Sequence, residues 1–264
     1  MRMTQTWLHE FNTGFTWNPP RAPSNYLTQK QADSYAADGY VVIPGVFDAR
    51  TIARMQAEID PVQNRASVAL LRLHPDKQPP FIIAKHLVSR SEWLRQLCGT
   101  GVMPSIAKDI MGPAVRLYWD QAVYKEPVVS RAFEWHQDNG TTFITPQHYA
   151  TCWIAMTDAT EETGCLSVAA DLHKRGTLRH WRSDRGWVCL EGAPASCVSV
   201  PMQAGDMAVF SSVTVHKTFP NRSSATRKAY VVQYAPDGAV AITRAKDGSI
   251  RRELQARPEW QFLV

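Results

Sequence analysis

The chain changes texture about two fifths of the way along. Up to residue 112 it is punctuated by helix start and stop signals. After residue 114, apolar residues fall into short β-branched or aromatic runs separated by glycine, proline and charged turns. Thr28-Gln29-Lys30-Gln31 has the form of a capping box and predicts a short helix stopped by Gly39. A strand over 40–43 follows, ended by Pro44-Gly45. Asp48 caps a second helix expected through Met55 to about Ile59, before Pro61. A further helical stretch spans 91–111, broken around Gly99 and Gly101 and closed by Gly112-Pro113. Strands are predicted at 115–124, 151–157, 165–168, 196–200, 207–211 and 229–234. Many short strands with few helices between them predict a mainly β fold closed into a sandwich or barrel, with a helical N-terminal layer. No linker or repeat interrupts residues 1–264, so one domain is expected: a support layer over 27–112, a β-barrel core over 113–238 and a C-terminal tail over 239–264. Residues 1–26 read as an irregular arm that must lay Trp7, Phe11, Phe15 and Trp17 on the body or on a neighbouring subunit.

Composition narrows the class. With 44% hydrophobic and 20% charged residues, the chain is an ordinary globular protein. No apolar run approaches the roughly 20 residues that span a bilayer. The first residues lack the apolar block of a secretory signal, so a soluble, cytoplasmic protein is expected. Five cysteines without a Cys-x-x-Cys pair read as reduced thiols and not as a zinc site. The net charge of +5 comes from scattered basic residues that form no stripe, which favours a solvated surface over a nucleic-acid groove.

Four side chains in this frame carry chemistry. His136-Gln137-Asp138 follows the polar-aromatic stretch Phe133-Glu134-Trp135. On an extended segment, positions i and i+2 project to one face, so His136 and Asp138 reach a common point. His216 ends the alternating run 208–215, on a strand near a barrel rim. Arg227 opens the apolar run 229–232, expected on the antiparallel strand one turn further on. Alone, the triplet is within reach of chance, and His216 by itself reads better as a structural histidine. An arginine opening a buried strand is different, because it is costly unless an anion meets it. Two imidazoles and a carboxylate on three faces of a cation leave three octahedral positions open, the way proteins hold non-haem Fe(II) for oxygen chemistry. A planar two-pronged guanidinium suits the carboxylate of a co-substrate. Together the four residues lead to the expectation of an iron- and 2-oxoglutarate-dependent oxygenase.

From about Leu27 to Ala235 the sequence resembles the phytanoyl-CoA dioxygenase family. The resemblance rests on residues 38–45, on Trp135-His136-Gln137-Asp138, and on 153–156 through 162–166 followed by His173-Lys174. It extends to Gly205-Asp206 with Phe210, His216 and Arg227-Lys228-Ala229. It implies a double-stranded β-helix (a jelly-roll, cupin-like barrel) with Fe(II) on His136, Asp138 and His216. Arg227 would pair with the distal carboxylate of 2-oxoglutarate, assisted by Thr218. Trp153, Gln121 and, from the support layer, Lys85 would supply further co-substrate contacts. O2 would complete the reactants. One departure is Ala170-Asp171-Leu172-His173-Lys174, where relatives have a Pro-Gly-Ser/Thr-His-Lys turn. Asp138 is informative, because relatives that halogenate replace this carboxylate with a small residue. Hydroxylation or a related oxidation is therefore expected.

The substrate implied is a small, largely apolar metabolite of specialised metabolism, met by the arm, the 65–80 loop and the segment 175–197. That segment carries His180, Trp181, Arg182 and Trp187, a composition that would serve a monomer's pocket or a homodimer contact equally. An acyl-CoA hydroxylase, a nucleic-acid dealkylase and a non-catalytic binding barrel are the rival readings.

Overall fold

The computed structural model describes residues 7–19, 25–73, 82–127, 131–184 and 186–264. Four α-helices occur among them: α1 (Gln29–Asp38), α2 (Ala49–Leu73), α3 (Glu92–Gly99) and α4 (Val102–Met111). Fifteen strands accompany them: β1 (Tyr40–Ile43), β2 (Ile82–Lys85), β3 (Val115–Lys125), β4 (Phe133–His136), β5 (Phe143–Thr145), β6 (Ala150–Ala155), β7 (Leu166–Ala169), β8 (Trp181–Ser183), β9 (Gly186–Val188), β10 (Cys197–Val200), β11 (Met207–Ser211), β12 (Val215–Thr218), β13 (Arg227–Pro236), β14 (Val240–Arg244) and β15 (Ile250–Leu254).

A six-stranded major sheet of order β1-β11-β6-β13-β3-β2 faces a four-stranded minor sheet of order β10-β7-β12-β4, with every pairing antiparallel. These are the two layers of a double-stranded β-helix, as the resemblance implied. All six residues of β6 are buried, because both faces of the major sheet are covered. Cys152 and Ile154, with Tyr230, Val232 and Tyr234 of β13, pack outward against Met55, Ile59, Leu94, Met103 and Ile106 of the helices. Trp153 and Ala155, with Ala229 and Val231, point between the sheets towards Leu166, Val168 and Phe210. The two-residue period of the strands thus sorts one sequence into a helix-facing core and a barrel lining.

Local signals hold at α1, where Thr28 and Gln31 form the reciprocal cap and Gly39 closes the helix at φ 76°. A Cβ at Gly39 would lie 2.6 Å from Cγ of His173, so space as well as φ demands glycine. Asp171 takes a left-handed backbone, φ 74°, at the place where the family's turn has glycine. Aspartate is among the few side chains that tolerate this region.

Three expectations are corrected. Helix α2 does not stop before Pro61 but runs through it. Asp60 is held there by Lys228 Nζ at 2.7 Å and by the Tyr124 hydroxyl, and Ile59 and Gln63 are buried, so packing outweighs the lost backbone bond. The expected 65–80 loop is therefore helix up to Leu73, and residues 74–81 lie outside the described residues. The C-terminal tail packs on the body, where β14 pairs with β15 and with β5, and Leu263 bridges to Arg116. The run 208–215 is two strands, with a turn at Ser212–Thr214 that carries the chain from β11 in the major sheet to β12 in the minor sheet.

The described part of the N-terminal arm lies on the body. Leu8 bridges to Leu178, and Trp17 packs against Tyr35, His148 and His173. Among the described residues no helix is long and apolar enough to cross a membrane.

Candidate metal centre

Strands β4 and β12 run side by side, with His136 directly opposite His216. Asp138 follows within a single 3-10 turn beyond β4. One ligand atom from each of the three residues lies within 4.8 Å of the others, and Asp138 Oδ1 is 3.7 Å from His216 Nε2. Ligands at neighbouring corners of one ion sit about 3 Å apart, so small side-chain rotations close the set on a single cation.

The backbone fixes the tautomers. His136 Nδ1 is 2.7 Å from the Glu134 carbonyl, and His216 Nδ1 is 3.0 Å from the Thr214 carbonyl. A carbonyl only accepts, so both Nδ1 atoms carry a proton, and in the neutral ring this leaves the Nε2 lone pair for a metal. Desolvation, then the His216 ring, holds the His136 pKa well below the usual histidine range, which keeps it a neutral ligand.

The residue between the first two ligands was not singled out in the sequence, yet it anchors the loop. Gln137 is fully buried; its Nε2 donates to the Gly176 carbonyl at 3.0 Å and to the Val213 carbonyl at 2.5 Å, and its Oε1 accepts from Leu178 N at 2.6 Å. Its backbone N–H donates to His180 Nε2 at 2.8 Å, and the His180 ring sits where a Cβ on Gly140 would be, 1.9 Å from it. The triplet is thereby tied both to the segment after β7 and to the turn before His216. Gln137→Leu keeps the volume and strands two carbonyls and one N–H in a buried site, each costing about 1–3 kcal/mol. The expected result is a loss of roughly 3–5 kcal/mol in urea unfolding; a variant as stable as the parent would show that the loop does not depend on this side chain.

The triad opens into a cavity of about 60 Å³ whose lining includes Gln121, Phe133, Trp153, Phe210, Thr218 and Arg227. Arg227 is the first residue of β13, only 1% exposed, and its guanidinium carbon sits 5.2 Å from the Trp153 ring centre. None of its three nitrogens has a hydrogen-bond partner, nor has the Thr218 hydroxyl. Burial lowers the Arg227 pKa to about 10, so the group stays charged at neutral pH. Opposite it in the ladder, the buried Lys125 donates Nζ to the carbonyls of Arg131 at 3.0 Å, Thr218 at 3.2 Å and Phe219. Among the described residues neither side chain has an acidic partner. The cavity wall thus carries one buried positive charge, Arg227, with no acidic side chain paired to it.

Of the sequence-derived set, the structure brings His136, Asp138, His216, Arg227, Thr218, Gln121 and Trp153 to this one cavity. Arg227 is not on the strand beside His216, as its spacing had suggested. It faces that strand from the opposite sheet. Lys85 is not brought in: it is exposed, with Nζ 5.5 Å from the Trp119 ring centre. No described residue of the arm or of 175–197 lines the cavity. Instead Leu178, Cys189 and Leu190 pack with Trp135 and Val215 on the outer face of the minor sheet. The apolar lining (Val123, Phe133, Leu166, Phe210, Val231) was visible only as strand alternation.

The profile of the phytanoyl-CoA dioxygenase family matches residues 35–229. The chain belongs to this family. It is 27% identical over 243 residues to a methylphosphonate hydroxylase of Gimesia maris, covering 89% of this chain and 88% of that protein. It is 32% identical over 141 residues to a phytanoyl-CoA dioxygenase of Arabidopsis thaliana, covering 52% and 49%. Among solved structures, the non-heme α-ketoglutarate-dependent carbocyclase SnoK of nogalamycin biosynthesis superposes with a TM-score of 0.69 at 22% identity, over 90% of this chain and 96% of that one. EctD from S. alaskensis, solved with 2-oxoglutarate and 5-hydroxyectoine, gives 0.68 at 16% identity over 90% and 85%. These likenesses establish the family and its fold.

Proposed function

We propose that the chain acts as a single-domain, Fe(II)- and 2-oxoglutarate-dependent oxygenase that hydroxylates an unactivated C–H bond of a small, largely apolar metabolite. The observation that carries this reading is the buried Arg227 guanidinium, without a hydrogen-bond partner and lining the same cavity as the His136, Asp138 and His216 set. Both sets of residues fit the groups they would hold. Two imidazoles and one carboxylate suit ferrous iron. A free planar fork suits the far carboxylate of a keto diacid.

When bound, the iron, the keto acid and O2 supply the oxidising chemistry, with release of succinate and CO2. The protein supplies geometry. Arg227 and the Thr218 hydroxyl fix the co-substrate's distal end, Trp153 and Gln121 flank it, and Phe133, Leu166, Phe210 and Val231 exclude water. Asp138, Nε2 of His136 and Nε2 of His216 would hold the metal. Five free cysteines, four of them buried, accord with a reducing, cytoplasmic setting. No nucleic acid is needed, and the protein would act as a monomer or homodimer.

The test is anaerobic addition of Fe(II), which should give a weak visible charge-transfer band only once 2-oxoglutarate is present. Both ligands together should also raise the unfolding temperature, as ligands specific to the folded state do. Absence of the band would leave a binding barrel. The substrate is sought by succinate release against a metabolite panel. A second reading, a small phosphonate substrate, is favoured by the near full-length match to the Gimesia maris hydroxylase, and methylphosphonate belongs in the panel beside acyl-CoA thioesters.

A further inference from the structure

The metal-binding carboxylate is steered from across the barrel. Thr151 lies on the central strand β6, fully buried, and its side chain points between the sheets on the same face as Trp153 and Ala155. Its hydroxyl is 2.6 Å from Asp138 Oδ2. Gln233, its cross-strand neighbour on β13, places Nε2 3.3 Å from the same hydroxyl. An amide nitrogen only donates, so Thr151 Oγ1 accepts from Gln233, and its one hydrogen goes to Asp138.

We propose that Thr151, oriented by Gln233, is a positioning residue that occupies Asp138 Oδ2 and presents Oδ1 alone to the metal. This inference rests on the proposed metal site. The geometry has a chemical consequence. A carboxylate gripping through both oxygens would take one of the three positions that the two histidines and a single carboxylate oxygen leave open. A carboxylate with one oxygen already engaged takes none. The bond also ties the two sheets together at the metal end: Asp138 extends from the edge of the minor sheet, whereas Thr151 and Gln233 belong to adjacent inner strands of the major sheet. The sequence gives no hint of it, because a threonine in a β run is ordinary.

Thr151→Val tests the idea with an isosteric side chain that suits a buried strand, so the fold should survive. Co(II) added anaerobically reports on the site through its visible bands, with no turnover required. In Thr151→Val, Co(II) affinity should fall about tenfold or more, and the band pattern should change as the carboxylate swings. Thr151→Ser, which keeps the hydroxyl, should restore both. Gln233→Leu should produce the same spectral change in weaker form, and it serves if the valine variant does not fold. Wild-type affinity and bands in Thr151→Val, or in Gln233→Leu, would overturn the positioning role. If the parent protein binds no Co(II), or His136→Ala binds it as well as the parent, the metal site itself is wrong.

Discussion

Replacing His136 with alanine should leave a folded protein that produces no succinate, with turnover of 2-oxoglutarate reduced by at least about a thousand-fold, or roughly 4 kcal/mol in the barrier. In the proposed site the imidazole is one of two nitrogen donors, and its Nδ1 is committed to the Glu134 carbonyl, which leaves Nε2 as the atom it offers the metal. Two remaining ligands, Asp138 and His216, would hold the cation weakly and without a fixed face. Folding should suffer little, because the core clusters around β4 are built from Trp135 and from the packing of Phe133, not from the histidine. The measurement pairs succinate release with far-UV circular dichroism and Co(II) binding. Persistent succinate formation in the folded variant would place the oxidising centre elsewhere.

Arg227→Met should act in opposite directions on stability and on co-substrate use. In the free protein the guanidinium is a buried charge with no partner, a state that costs several kcal/mol. Methionine fills much of the same volume without that cost, so the ligand-free variant should unfold at a higher temperature than the parent. With 2-oxoglutarate the order should reverse. Loss of a desolvated, two-pronged pair costs about 3–4 kcal/mol, so the KM for 2-oxoglutarate should rise roughly 100- to 1000-fold while metal affinity is unchanged. Added 2-oxoglutarate should then no longer stabilise the variant. Unchanged co-substrate dependence would show that the anion is anchored by another group. Lys125, its neighbour in the ladder, would be the next candidate, although desolvation, reinforced by Arg227, depresses its pKa to about 6 and its Nζ already faces three carbonyls.

Much of this architecture was legible where local chemistry decides it. Thr28 and Gln31 cap each other because the partners are three residues apart. The strand at 207–211 was readable because the turn Gly205-Asp206 sets its start. The four candidate residues stood out because their types and order suggest the proposed chemistry, whatever the exact topology. What failed depended on contacts distant in sequence. Pro61 reads as a helix stop until Asp60 is seen held by Tyr124 and Lys228. Strands β2, β5, β14 and β15 are three to five residues long with no clear alternation, and they become strands only through their partners. The step from His216 to Arg227 fits a hairpin numerically, yet the chain crosses between sheets. Gln137 and Thr151 are polar residues buried for their tertiary bonds, and no local pattern announces such a residue.

The facing register of His136 and His216 has a consequence for how such a protein can change. Paired positions on neighbouring antiparallel strands sit about 4.5–5.5 Å apart, whatever the connecting segments do. The spacing of the two imidazoles is therefore a property of the ladder and is insulated from insertions elsewhere. Loops around the mouth can be lengthened, swapped or redesigned for a new reactant while the oxidising machinery is inherited unaltered, so altered selectivity is best sought there and not among the strands.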